Sequence, residues 1–139
     1  MSASFLFPIG GHEIDDFWPK IRHLIEKPLA RTKADRDFAP EDVRQAIRDG
    51  TMQCWIAHDG ENILVVGITE VLCYPRRKVL GIPFVGAERG TLDHWIDHME
   101  AMKAYAREMG CSAIRVWGRD GWVKMLNPDV KRLEADIEV

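Results

Sequence analysis

Cysteine is scarce in this 139-residue chain, and its placement limits what the protein can be. The three cysteines are Cys54, Cys73 and Cys111, and no two of them stand in Cys-x-x-Cys spacing. The odd count and the spacing disfavour a disulfide framework and a thiolate zinc site. Cysteines that serve as small apolar residues are typical of a reducing compartment, so we expect a cytoplasmic protein.

Strong charge of one sign and long apolar runs are also missing. The formal net charge is -3 and the basic run at 76–78 is short, so we expect no nucleic-acid partner. No apolar stretch reaches the length of a transmembrane helix. The N-terminal stretch "MSASFLFPIGGHE" lacks the basic start of a signal peptide. We therefore expect neither a membrane protein nor a secreted one.

The composition is that of an ordinary globular domain. The chain is 46% hydrophobic and 29% charged, and its length is enough to bury a core without disulfides. Neither internal repeats nor low-complexity segments divide the sequence. We expect a single domain over residues 1–139.

Apolar spacing predicts helices first and then strands. Amphipathic helices are predicted in "HEIDDFWPKIRHLIEKPLAR" and "KADRDFAPEDVRQAIRDG". Two strands, "MQCWIAH" and "ILVVGITEVLCYP", form a hairpin around the turn Asp59-Gly60, and "RKVLGIPFVGA" is a third strand. Pro83 lacks an N–H group, so we expect a β-bulge or an unpaired edge within this third strand.

The second half of the chain predicts a strand–helix–strand unit. "TLDHWIDHMEAMKAYAREMG" is a long helix whose buried stripe contains Trp95, Met99, Met102, Ala106 and Met109. "SAIRVWG" is a strand, "RDGWVKML" a short helical turn and "VKRLEADIEV" a final strand. A helix between parallel strands forms a right-handed crossover, so the predicted fold class is α/β with a mixed sheet.

The segment "ERGTLDHWIDHMEAMKAYAREMGCSAIRVWG" resembles the GNAT superfamily of acyl-CoA-dependent N-acyltransferases. In that family an Arg-Gly-x-Gly-x-Gly loop precedes a helix that ends in Ala-x-x-x-Gly, and an apolar strand follows. Arg89-Gly90, Ala106 with Gly110, and the strand at 113–117 fit this pattern. The resemblance implies a GNAT-like fold from residue 13 onward, with an antiparallel meander and a crossover. The ending "WGRDGWVKML" is also similar to small GNAT-like proteins encoded by phages and prophages.

The resemblance implies an acetyl-CoA site where the long helix begins. In the family, backbone N–H groups at a helix N-terminus hold the pyrophosphate. The matching positions here are Val85, Ala87, Arg89, Gly90 and Thr91.

The candidate general base is Glu70, on a predicted strand. A carboxylate that is simply solvated on its strand is the alternative interpretation of this residue.

Two departures from the family pattern argue against catalysis. Leu92 and His94 stand where the family has glycines and would crowd the phosphates, and Asp93 adds a negative charge beside them. The last tyrosine is Tyr105, inside the long helix, so the tyrosine acid that many members use is missing.

We therefore favour a degenerate, non-catalytic GNAT-fold protein of phage or prophage origin that acts through a protein partner or as a homo-oligomer. The expected localisation is cytoplasmic, or virion-associated if the protein is encoded by a phage. The alternative is a working acetyl-CoA-dependent N-acyltransferase that positions an unknown amine for direct attack.

Three other features of the sequence are open to a functional interpretation. His94 and His98 lie one helical turn apart and could share a metal ion, but no third ligand follows, so we expect no metal site. Trp117 and Trp122 bracket a glycine-containing turn and either form a binding surface or close the end of the sheet. Cys73 has no evident histidine partner, so we do not expect a cysteine nucleophile.

Overall fold

The chain forms a five-stranded sheet with helices on both faces, described over residues 3–117, 120–132 and 134–139 of a computed structural model. The strands are β1 (Phe5–Ile9), β2 (Gln53–His58), β3 (Ile63–Cys73), β4 (Lys78–Ala87) and β5 (Cys111–Val116). The helices are α1 (Ile14–Arg31), α2 (Pro40–Asp49), α3 (Asp93–Asp97), α4 (Met99–Glu108) and α5 (Asp120–Met125), with a 3-10 turn at Ala34–Arg36. No helix in these ranges is long and apolar enough to cross a membrane.

The strands follow one another across the sheet in the order of the sequence. The pairs from β1 to β4 are antiparallel, and β5 pairs with β4 in parallel. The predicted meander, crossover and mixed sheet are therefore confirmed. The strand β1 was not predicted, because Pro8 interrupts its short apolar run. Proline is tolerated there since β1 lies at the edge of the sheet.

Alternation along β3 divides the core into two layers. Val66 and Ile68 belong to the layer under α1 and α2, whereas Val65 packs with Trp95 of α3 and Met102 of α4. The first layer is filled largely by the apolar stripe of α1, which includes Ile14, Trp18, Ile21, Leu24, Ile25 and Leu29. Burial of these stripes is the main force that holds the helices on the sheet.

The predicted long helix is wrong in two respects. It is interrupted at His98, where φ is -96° and ψ is 4°, so that α3 and α4 are separate helices. The His98 ring meets Ser4 Oγ at 2.9 Å, a contact with the N-terminal segment that local periodicity does not reveal. Met109 is 39% exposed rather than buried, because it lies beyond the last turn of α4.

The predicted final strand is also wrong for the single chain. The described residues of "VKRLEADIEV", all but 133, lie in neither a helix nor a strand. An alternating pattern needs a neighbouring strand to pair with, and in the described residues β5 pairs with β4 alone. The predicted turn in "RDGWVKML" corresponds to α5, and Arg119 at its start lies outside the described residues.

Two strand glycines allow the helices to approach the sheet closely. A Cβ at Gly86 of β4 would overlap the carbonyl oxygen of Leu24 in α1. A Cβ at Gly67 of β3 would overlap the ring of Trp95 in α3. These two contacts fix α1 and α3 on opposite faces of the sheet.

Replacing Gly86 with alanine should destabilise the protein by about 2–3 kcal/mol, because the backbone of α1 must move to admit the methyl group. Gly81→Ala on the same strand is the matched control. Its Cβ would lie 3.2 Å from Leu72 Cδ1 and from the Trp117 ring, and side chains yield more easily than backbone. Urea denaturation measures both free energies of unfolding. Equal losses for the two variants would contradict the role of Gly86.

Candidate functional site

The ladder between β4 and β5 ends just before Pro83. The register of β3 against β4 shifts there, so that Thr69 stands opposite both Ile82 and Pro83. Pairing between β4 and β5 ends at Ile82 and Val116. A proline has no N–H group to give to a ladder, and a bulge turns the strand at the same point. The predicted bulge at Pro83 is therefore confirmed, and beyond it the described residues give β4 no strand partner on the side of β5.

Beyond the bulge, alternate backbone groups of β4 face its unpaired side. The N–H of Glu88 donates to the carbonyl of Leu64 at 2.8 Å, which fixes the residues that bond to β3. In an antiparallel ladder only every second residue bonds to a given neighbour. Val85 and Ala87 therefore direct their backbone groups away from β3, to the side that β5 has left. Both residues belong to the predicted pyrophosphate site.

The loop after β4 closes in a tight turn. The N–H of Thr91 donates to the carbonyl of Glu88 at 3.0 Å. Its Oγ1 lies 2.7 Å from the same oxygen and 2.9 Å from the carbonyl oxygen of Leu64. Gly90 has a φ of 77°, and a Cβ there would meet no atom within 4 Å. The turn therefore uses the polar groups of Thr91 for its own closure and needs Gly90 for its conformation, while the space above Gly90 is open.

Two side chains of α1 reach the end of β4, and sequence reasoning missed both. His23 Nε2 lies 2.5 Å from Glu88 Oε1, and Lys27 Nζ donates to the carbonyl of Ala87 at 3.2 Å. The only signal of this in the sequence was the spacing of four residues between them, which places both side chains on the same side of α1. With the exposed Arg89, they bring three basic side chains to the end of β4 beside the loop.

The structure contradicts the predicted crowding by Leu92. This side chain packs against the buried cluster around Trp95, so it is directed at the sheet rather than at the loop. His94 is half-buried and Asp93, the first residue of α3, is exposed. Because α3 has only five residues before the break at His98, its dipole is short.

Glu70 lies next to the bulge on the face covered by α1 and α2. It lies two residues after Ile68 on β3, so its side chain is on the same face as those of Val66 and Ile68. It stands opposite Gly81 of β4. The Trp117 ring packs over Gly81 on the same face. Burial raises the pKa of the Glu70 carboxyl above its ordinary value. A half-buried carboxylate with a raised pKa is a better proton acceptor than a solvated one.

Tyr105 is directed at the opposite face of the sheet from Glu70. Its ring meets that of Trp55 edge-on, with centroids 4.8 Å apart, and partial burial raises the pKa of its hydroxyl. The Trp55 indole in turn donates to Thr69 Oγ1 at 3.0 Å. We therefore assign Tyr105 to packing on the side of α4.

The remaining sequence candidates are dispersed. Trp117 Nε1 donates to Glu134 Oε2 at 2.9 Å, whereas the side chain of Trp122 lies outside the described part of the structure. In the described ranges no three His, Cys, Asp or Glu side chains are grouped as a metal site would require. Cys73 is exposed, and burial raises the pKa of the Cys54 thiol to about 12.

Solved structures with this fold include acetyltransferases. An aminoglycoside acetyltransferase from an uncultured soil metagenomic sample, in complex with sisomicin, matches with a TM-score of 0.73 at 11% identity, over 98% of this chain and 95% of that one. A ribosomal-protein-alanine N-acetyltransferase from Brucella melitensis biovar Abortus 2308 matches with a TM-score of 0.70 at 10% identity, over 99% and 100%. A scan of protein-family models and a search of curated proteins each find no match to this sequence.

The protein therefore has the fold of the GNAT acetyltransferases, as its five-stranded mixed sheet and its likeness to these structures show. At such low identity the likeness concerns the fold alone.

Replacing Leu92 with glycine, the residue of the family pattern, should cost about 1–3 kcal/mol of stability, because it removes an apolar side chain from the Trp95 cluster. Acetyl-CoA affinity, measured by titration calorimetry, should not improve. His94→Gly at the second such position is the control and should cost about 1 kcal/mol or less. Tighter acetyl-CoA binding by the Leu92 variant would show that this side chain does crowd the loop.

Proposed function

We propose that this protein binds acetyl-CoA in the cleft between β4 and β5 and transfers the acyl group to an amine. The observation that carries the proposal is the end of the β4–β5 ladder at Pro83, beyond which Val85 and Ala87 direct backbone groups to the unpaired edge of β4. Acyl donors of this kind are extended molecules with amide groups, which a strand edge can hold by backbone hydrogen bonds. The solved structures of the same fold include enzymes named for amine-bearing acceptors.

Some of the residues at the end of β4 suit the phosphate groups of acetyl-CoA. The Gly90 turn leaves open space, and the exposed Arg89 offers a positive charge there. Lys27 adds a positive charge from α1, although its ammonium already donates to the carbonyl of Ala87, and His23 contacts Glu88. Basic side chains around a turn would supply the attraction that the missing family glycines do not.

Glu70 is the residue of this chain that would accept a proton from the acceptor amine. An amine is protonated at neutral pH and must lose that proton before it can attack. Acetyl-CoA, when bound, supplies an acyl group activated as a thioester. Glu70 stands beside the bulge, and its raised pKa makes it a stronger proton acceptor than a solvated carboxylate.

A degenerate, non-catalytic role is the second candidate. It is favoured by the short helix α3, which ends after five residues, and by the position of Tyr105 on the face opposite Glu70. In this alternative the site no longer binds acetyl-CoA, and the protein acts through contacts with other proteins. A phage or prophage origin would fit such a role. The two candidates differ in whether acetyl-CoA binds.

Acetyl-CoA titrated into the purified protein should bind with micromolar affinity, about -8 kcal/mol. Arg89→Glu should weaken binding roughly tenfold or more, because it replaces an attraction for phosphate by a repulsion. Arg107→Glu, an exposed change at the end of α4, is the matched control and should leave affinity unchanged. Absence of binding by the unmodified protein would favour the non-catalytic alternative.

Glu70→Gln should lower kcat for acetyl transfer to a primary amine roughly 100-fold or more. The unmodified enzyme should lose activity as the pH falls through the raised pKa of Glu70, because the protonated carboxyl accepts no proton. The variant should lose this acidic limb, whereas Glu61→Gln in the β2–β3 turn should keep it. Product formation from a panel of amines, followed chromatographically across pH, measures both. An unchanged pH profile in the Glu70 variant would exclude it as the base.

A further inference from the structure

Glu70, Gly81 and Arg115 lie side by side across the sheet, one on each of three neighbouring strands. Glu70 of β3 stands opposite Gly81 of β4, and Gly81 stands opposite Arg115 of β5. Residues opposite each other in a ladder direct their side chains to the same face. Ile114, the neighbour of Arg115, packs with Ala106 of α4 on the other face. A carboxylate and a guanidinium are therefore placed on one face of the sheet, with a glycine between them.

The two charged groups of this row are not paired with each other. Two strand spacings put the Cα atoms of Glu70 and Arg115 about 10 Å apart. Among the described residues, neither side chain forms an ion pair. Both are half-buried, and burial raises the pKa of the Glu70 carboxyl above its ordinary value. Partial burial of an unpaired charge is unfavourable, and a ligand that supplied the opposite charges would offset this penalty.

Tyr74, directly after β3, holds the guanidinium of Arg115 without neutralising it. Arg115 Nη1 donates to Tyr74 Oη at 2.7 Å, and the guanidinium carbon lies 5.1 Å from the centroid of the tyrosine ring. A neutral phenol orders the arginine side chain but leaves its positive charge in place. The hydrogen bond uses one of the five N–H donors of the guanidinium, so the others can bind an anionic group.

The surface between the two charged groups is apolar. The Trp117 ring and Leu72 Cδ1 both lie 3.2 Å from the position of a Cβ at Gly81, so any side chain there would displace them. Leu72 and Trp117 are half-buried, and each keeps part of its surface in solvent. The polar edge of the indole is directed elsewhere, since Nε1 donates to the exposed Glu134 at 2.9 Å. A flat apolar group can pack on a surface of this kind.

The order of these groups sets the chemistry of a ligand that would fit all of them. A carboxylate at one end attracts an ammonium group, the apolar surface accepts a flat body, and a guanidinium at the other end binds a carboxylate or a similar anion. The separation of the two charged side chains also matters. A simple α-amino acid carries its charges on adjacent atoms of one short unit and cannot reach both ends, whereas a longer amine with a terminal carboxylate can.

We propose that Arg115 selects acceptor amines that carry an anionic group at the far end of an apolar or aromatic body. The ammonium end faces Glu70, the body packs on Leu72 and Trp117, and the anionic end pairs with Arg115. The inference rests on the proposed function, because it takes the amine held at Glu70 to be the acetyl acceptor. That amine gives one proton to Glu70 and forms its bond to the acetyl carbon as the carbon–sulfur bond breaks, and its second proton goes to the CoA sulfur.

Three benzylamines of the same shape and different charge test the proposal. They are para-(aminomethyl)benzoate, its neutral benzamide, and the diamine with an aminomethyl group in the same position. Titration calorimetry should show that the benzoate binds roughly tenfold or more tightly than the benzamide, and that the diamine binds most weakly. Acetyl transfer should follow the same order through KM at similar kcat, because the varied group lies far from the reacting nitrogen.

Arg115→Gln should remove this preference. The affinity for the benzoate should fall roughly tenfold or more, whereas the affinity for the benzamide should stay the same and serve as the internal measure of an intact site. Lys78→Gln is the matched control and should keep the preference. It makes the same charge change on the opposite face, where Lys78 stands opposite Cys111 and beside Gly110. Circular dichroism establishes that both variants are folded.

The outcomes separate this inference from the proposed function. Equal affinities for the benzoate and the benzamide in the unmodified protein, or no binding of any of the three amines, would overturn the inference. A preference that survives Arg115→Gln would overturn it as well. If the benzoate is preferred in binding but no amine is acetylated, the anion site at Arg115 stands and the proposed acetyl transfer fails. Acetylation of all three amines with equal KM values would mean the reverse.

Discussion

The missing N–H group of Pro83 is the constraint on which the candidate site depends. A β-strand in the middle of a sheet normally bonds to both neighbours, and β4 does so only as far as Ile82. From Pro83 onward the ladder to β5 stops, while the ladder to β3 continues to Glu88. One edge of β4 is thereby released without loss of the strand itself. The unpaired edge of β4 arises here from this local change in backbone pairing.

Close packing on both faces of the sheet holds that opened edge in place. Gly86 lets the backbone of α1 lie against β4, so that His23 and Lys27 reach the loop that follows. On the other face, Gly67 accepts the ring of Trp95, which fixes α3 at the end of the same loop. The loop is thus positioned by buried contacts, although Arg89 and Gly90 at its tip are exposed.

Sequence reasoning succeeded for the features that depend on residues close together in the chain. The bulge follows from a proline in a strand, and the meander and the crossover follow from the order of the apolar strand and helix patterns. It failed where distant contacts decide, as in the break of the helix at His98, which meets Ser4, and in the direction of Leu92. The pair of His23 and Glu88 joins residues far apart in sequence and leaves no local signal.

Amide hydrogen exchange along β4, measured by NMR with and without acetyl-CoA, tests the central claim most directly. If the bulge at Pro83 releases one edge of β4, the amides of Val85 and Ala87 exchange much faster than those of Phe84 and Gly86, which bond to β3. Acetyl-CoA should then slow exchange at Val85 and Ala87. Equal protection of all four amides in the free protein, or no change on adding acetyl-CoA, would contradict the account.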